Sequence, residues 1–217
     1  MLRQIASELK NHAPFTILGA ISGIFIMVFI ILVKMPTEIS YFAFYTLHPL
    51  HIILSAIVTT AMYRKYGHRQ IWKAILVGYT GSIGIATLSD AAIPYLGGIL
   101  LGAKMEFEIP FIESAVMPVI GVAKWQVVNS AALLGIIIGY FRPTTKIPHL
   151  GHVFLSTWAS MFYFTAFGTP WLISLLPLIF LFLFLFLSVW VPCCTSDIVF
   201  PLLLSGKGPA EIHHEHH

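Results

Sequence analysis

Charged residues are scarce in this sequence. Asp, Glu, Lys and Arg make up 10% of the 217 residues, while 58% are hydrophobic and the mean hydropathy is +0.87. A soluble domain carries about 25% charged residues, so an ordinary water-facing surface is excluded and a lipid solvent is expected. Cysteine is scarcer still. Cys193 and Cys194 are the whole complement, adjacent in an apolar stretch, and a disulfide framework needs suitably spaced partners. Period-two alternation of polar and apolar residues is missing, which argues against a membrane β-barrel. Nothing resembles a cleavable signal. Arg3 and Lys10 precede an apolar run, 15–33, that is long enough to stay in the membrane, and no A-x-A-like site follows it.

What is there instead is a series of apolar blocks near the ~20 residues of a membrane helix. They run over 15–33, 39–63, 71–103, 125–141, 147–167 and 171–204. In the second, Pro49 is expected to mark the helix start, because proline is favoured in a first turn. The third and sixth are too long for one straight span, and the sixth contains Pro192. Basic residues give the orientation. Arg64, Lys65, Arg69 and Lys73 lie between blocks two and three, and Arg142 and Lys146 between four and five. Between three and four, Glu106, Glu108 and Glu113 outnumber Lys104. The positive-inside rule then puts both termini in the cytoplasm and the acidic loop outside, with Lys34 the one exception.

The sequence repeats itself. L-G-x-x-x-G-x-F occurs at 18–25 and 134–141, H-x-x-H-x-x-L-S at 48–55 and 149–156, and S-D-x-x-x-P at 89–94 and 196–201, in the same order. Asp90 and Asp197 are the only aspartates in the chain. Composition alone would give the second the same Ser and Pro flanks about 1 time in 260. Duplication is the better explanation, and an odd number of spans per copy inverts the second relative to the first. The expected fold is therefore all-α: a polytopic integral membrane protein of about six transmembrane helices, arranged as two inverted three-helix repeats. Residues 1–103 form the first repeat with a cytoplasmic N-terminal segment, 104–124 the acidic outer loop, 125–204 the second repeat, and 205–217 a His-rich tail.

The chemistry-bearing residues follow the repeats. His48 and His51 share one helix face, continued by Ser55 and Thr59; His149, His152, Ser156 and Ser160 do the same in the second copy. A polar stripe on an apolar helix faces the bundle interior, where ionisable groups are costly and by default functional candidates. His48, His51 and Asp90 make an N,N,O ligand set. His149, His152 and Asp197 make a second, with Cys193 or Cys194 as an addition. Such donors suit a divalent transition metal, zinc-like where a thiolate joins. The bland reading is that the histidines merely hydrogen-bond neighbouring helices. Each Asp is followed by a proline, so a helix break or a helix end is expected there. Gly19, Gly23, Gly135 and Gly139 read as close packing, and Glu106, Glu108 and Glu113 as a solvated loop.

The function expected is carriage of a divalent transition-metal ion through the duplicated sets. The alternatives are an intramembrane metal-dependent enzyme, which lacks a nearby glutamate as general base, and a haem or quinone electron-transfer protein. A purely structural repeat is the non-functional contrast. The expected partners are the lipid bilayer and a metal ion or small solute, with room for a homo-oligomer and no nucleic acid.

Overall fold

Large apolar side chains in these blocks cover the outside of the bundle as well as filling its core, while many polar ones turn inward. The computed structural model describes residues 2–65, 70–117, 121–142, 146–168 and 175–196. Within them every regular element is a helix: α1 (Leu2–Leu32), α2 (Thr37–Lys65), α3 (Ile71–Leu100), α4 (Lys124–Phe141), α5 (Lys146–Phe167) and α6 (Leu175–Cys194). Ala13–Leu32 of α1, α2 and α3 are long and apolar enough to cross a membrane, and Pro177–Cys193 is a shorter apolar helix. Leu18, Ile21, Phe25, Phe29 and Leu32 lie exposed at helical spacing on α1, as do Leu133, Leu134, Ile137 and Phe141 on α4. Meanwhile Ser40, His48, His51, Ser55 and Thr59 of α2 are buried, with His152, Ser156 and Ser160 of α5. Apolar stripes of that length need a solvent that accepts them. The chain is built as a helical membrane protein.

Glycines set which helices touch. A Cβ on Gly135 or Gly139 would lie 2.5 Å from the Ile53 or Ile57 carbonyl oxygen, so α4 sits directly on the α2 backbone. Gly19 brings α1 close to the Thr157 side chain of α5, whose Oγ1 lies 2.9 Å from where a Cβ would stand, and Gly23 faces Met161 at an ordinary 3.6 Å. The central pair is α2 with α5. Trp190 Nε1 of α6 donates to the Leu9 carbonyl of α1 at 2.8 Å. Arg64 lies over the Tyr140 ring at 4.3 Å, joining the C-terminal ends of α2 and α4 at a basic end of the bundle. Lys124 lies 4.9 Å from the Tyr45 ring centre, joining their N-terminal ends at an acidic end.

Two sequence expectations are corrected. α2 begins at Thr37 rather than near Pro49, which is buried inside the helix; interior prolines are tolerated in packed membrane helices. α3 neither breaks nor ends at Asp90. It continues through two π turns, Thr80–Gly84 and Leu88–Ala92. In a π turn a carbonyl looks five residues ahead for its N–H, and the partner of Ser89 would be Pro94, which has none. Ser160 Oγ of α5 fills that place, 2.8 Å from the Ser89 carbonyl. Ser196 Oγ likewise donates to the Gly81 carbonyl of the first π turn at 3.0 Å, and Thr195 and Ser196 themselves carry the π pattern. At 30 residues α3 spans about 45 Å, more than the ~30 Å hydrocarbon core, which a tilt accommodates.

Lys34, the exception to the charge pattern, closes α1. It holds φ 51 just past α1, and the Lys34 and Met35 amides donate back to the Ile31 and Ile30 carbonyls. That is a Schellman ending, in which the left-handed place is usually glycine.

Candidate functional site

The three-residue spacing of His48 and His51 places both rings on the α2 face toward α3 and α5. The π turn of α3 aims Asp90 at the same point. His48 Nδ1 lies 2.8 Å and His51 Nδ1 2.7 Å from one oxygen, Asp90 Oδ2. Ser89 and Ser156 Oγ each donate to Asp90 Oδ1 at 2.7 Å. All five side chains are buried: His48, His51 and Asp90 have no exposed surface. A carboxylate taking four hydrogen bonds is acceptor-only and has its lone pairs filled. It therefore fixes both imidazoles as Nδ1–H donors and turns both Nε2 lone pairs away. Neither Nε2 has a hydrogen-bond partner among the described residues.

The arrangement has an electrostatic consequence. A carboxylate with two neutral imidazoles carries one negative charge, and a lone charge in a dry interior costs several kcal/mol. A cation beside the two rings would balance it.

His152, placed by its motif with the second set, lies beside the first. Its ring is nearly parallel to that of His51, interplanar 9°, with centroids 5.8 Å apart. Phe44 stacks on the opposite neighbour, His48, at 5.2 Å. Ser55 and Thr59 lie on the same α2 face, and Thr59 Oγ1 meets Ser196 Oγ at 3.1 Å. Cys193 is buried in an apolar patch with Val153 and Val189. The His149 and Cys194 side chains and Asp197 lie outside the described residues. Among the described residues no three His, Cys, Asp or Glu side chains converge as a metal-ion site. Asp90 meets the two rings through Nδ1, so it positions them rather than sharing a guest with them at that atom.

The acidic loop is not simply solvated. Lys124 is 4% exposed, and its Nζ lies 2.5 Å from Glu108 Oε2 and 2.7 Å from Glu113 Oε2. Tyr45 Oη donates to Glu108 Oε2 at 3.0 Å. Tyr163 Oη accepts from the Glu108 amide and donates to the Glu106 carbonyl. Burial, with Glu113 alongside, raises the Glu108 carboxyl above the usual range. Glu113, against the upward push of its own burial, is held low by Glu108, Lys124 and the Ile109 amide. Sequence reading missed this cluster because Lys124 stands at the join of loop and helix and looks like one more boundary charge.

No family model, no curated protein and no solved structure matches this chain.

Proposed function

We propose that this chain is a membrane carrier for a divalent transition-metal ion, built from six spans in two inverted three-helix repeats with both termini in the cytoplasm. The observation that carries the reading is the pair of buried Nε2 atoms without a hydrogen-bond partner, on rings that Asp90 holds through Nδ1. Metal-binding histidines commonly give their other ring N–H to a carboxylate, which fixes tautomer and orientation. Neutral imidazole suits zinc-like ions. His149, His152 and Asp197, with Cys193 or Cys194, are the counterpart set in the second repeat.

Matched contacts support the repeat. Gly19 against Thr157 and Gly135 against Ala56 pair residues at equivalent places in the two copies of the motifs. So do Ser160 with Ser89 and Thr59 with Ser196. His51 and His152, also equivalents, stand face to face, as expected for a pair astride a two-fold axis in the membrane plane.

Uptake of zinc into proteoliposomes holding an internal fluorescent chelator tests the proposal. Wild type should load the vesicles, and His48→Ala, His51→Ala and Asp90→Asn should each lower the rate about tenfold or more. Equal uptake by these variants, each shown folded, would overturn it. One observation favours a second reading, proton transfer: the hydroxyl, carboxylate and imidazole groups form a connected chain while no three donors converge among the described residues. Flux of protons without metal, reported by an internal pH dye, would select it.

A further inference from the structure

The seam between α2 and α5 has two ends, and one of them is covered. On α2, Tyr45, His48 and His51 follow one another at three-residue spacing. On α5, Tyr163, Ser160, Ser156 and His152 do so at spacings of three and four. The two tyrosines therefore stand at the acidic end of the face that holds the imidazoles. Over them lies the segment 103–117. The Glu106 amide donates to the Phe167 carbonyl, Met105 pairs with Gly168, and the Glu108 amide donates to Tyr163. Met117 is buried among Phe44, Tyr45, Ala159 and Tyr163. Phe44, in that same cluster, stacks on His48.

Beside these contacts, and the backbone bonds from the Lys124 and Trp125 amides to the Ala115 and Glu113 carbonyls, the segment has an ionic fastening. Lys124, at the start of α4, grips Glu108 and Glu113 of the segment and packs over Tyr41 and Tyr45 of α2. A mostly buried ion pair is weak evidence for stability, since apolar residues of similar volume often do as well. What it does supply is a contact that water, protons or incoming cations can undo. Gly102, at φ +86, ends α3 where the segment begins, its amide and that of Ala103 donating back to the Ile99 and Gly98 carbonyls.

We propose that residues 103–117 are a releasable strap that closes the acidic end of the α2–α5 seam, with Lys124 as its latch. Opening the strap exposes the route past Phe44 to His48, His51 and Asp90 from that face. This rests on the reading of the seam as a pathway, but access can be measured without transport.

The test uses the full chain with Cys193 and Cys194 replaced by Ala and one reporter, Ala159→Cys, at a position buried under the strap. Proteoliposomes are treated with a membrane-impermeant cationic thiosulfonate on the Glu108 face. The reporter thiol should label slowly with the latch intact, and about tenfold faster or more in Lys124→Met. Lys124→Arg should stay slow. Glu113→Gln, which removes one ion pair and is the fallback if Lys124→Met does not fold, should be intermediate. A control reporter, Ile112→Cys, on the exposed surface of the strap, should label fast in every background. Labelling of the buried reporter that agrees within roughly twofold across the latch variants, or that matches the surface reporter in the intact chain, would overturn the strap. Zinc uptake measured in parallel on the chain that keeps both native cysteines, with and without Lys124→Met, separates the two proposals: a strap that opens over a seam carrying no zinc sinks the carrier reading alone.

Discussion

At the scale of single residues, Asp90 is the group on which the site's geometry depends. Two imidazole N–H groups and two hydroxyls converge on it with no water-facing alternative. Asp90→Asn keeps the size but offers one acceptor oxygen and adds donors, leaving buried N–H groups unpaired. We expect a loss of about 1–3 kcal/mol in unfolding free energy, read from denaturant unfolding in detergent. Ser156→Ala, which leaves Asp90 with three donors, should fall at or below the low end of that range. A fully wild-type midpoint for Asp90→Asn would mean the cluster is not formed. The participants were legible from the sequence: the H-x-x-H spacing places the rings on one face and S-D-x-x-x-P marks the carboxylate. Their chemistry was not. That both rings meet one oxygen through Nδ1 depends on the rotational phase of α3, set by two π turns that no local residue pattern announces. The place of His152 beside His51 depends on how α2 and α5 cross, which motif order does not encode.

At the scale of helices, the same residue type has opposite roles at different positions. Gly139→Ala would thrust a methyl to 2.5 Å from the Ile57 carbonyl, backbone that cannot yield. It should cost about 1–3 kcal/mol by overpacking. Gly84→Ala meets nothing within 4 Å at a helical φ of −61°, and should gain up to about 1 kcal/mol of helix propensity. Thermal unfolding of the two variants should move in opposite directions. The G-x-x-x-G spacing made the first of these readable in advance. The helix boundaries were readable too, to within a residue or so in blocks four and five, because lipid-facing stripes demand long apolar runs. Pro49 misled because packed membrane helices tolerate an interior proline that would end a helix in water.

The strap has its own pH dependence. Glu108 binds a proton at higher pH when the strap is closed than when it is open, so acidification from neutrality first favours closure. Glu113 when closed binds its proton only below the ordinary 4.5, so further acidification favours opening. Lys124, Tyr41, Tyr45 and Tyr163 face the pair and are the other groups to consider. Hydrogen-exchange protection of residues 103–117, corrected for intrinsic rates, should rise and then fall as pH drops. Glu113→Gln should abolish the falling limb, and a protection curve unaffected by that change would contradict the assignment.

At the scale of the whole molecule, the sequence yielded the membrane class, the block order and the separation of basic and acidic loops. It did not yield how the blocks embrace one another. α1 packs chiefly against α5 and α6 rather than its neighbour α2, and α4 packs on α2. Each half of the chain supplies the walls of the other. During synthesis α1 and α2 would therefore enter the bilayer lacking their main partners, and α1 would wait for some hundred and more further residues before its groove arrives. Separately made fragments cut in the loop before α4 should accordingly be short-lived alone and rescue each other when produced together, so the interlaced halves make assembly in the cell a late, all-or-nothing event.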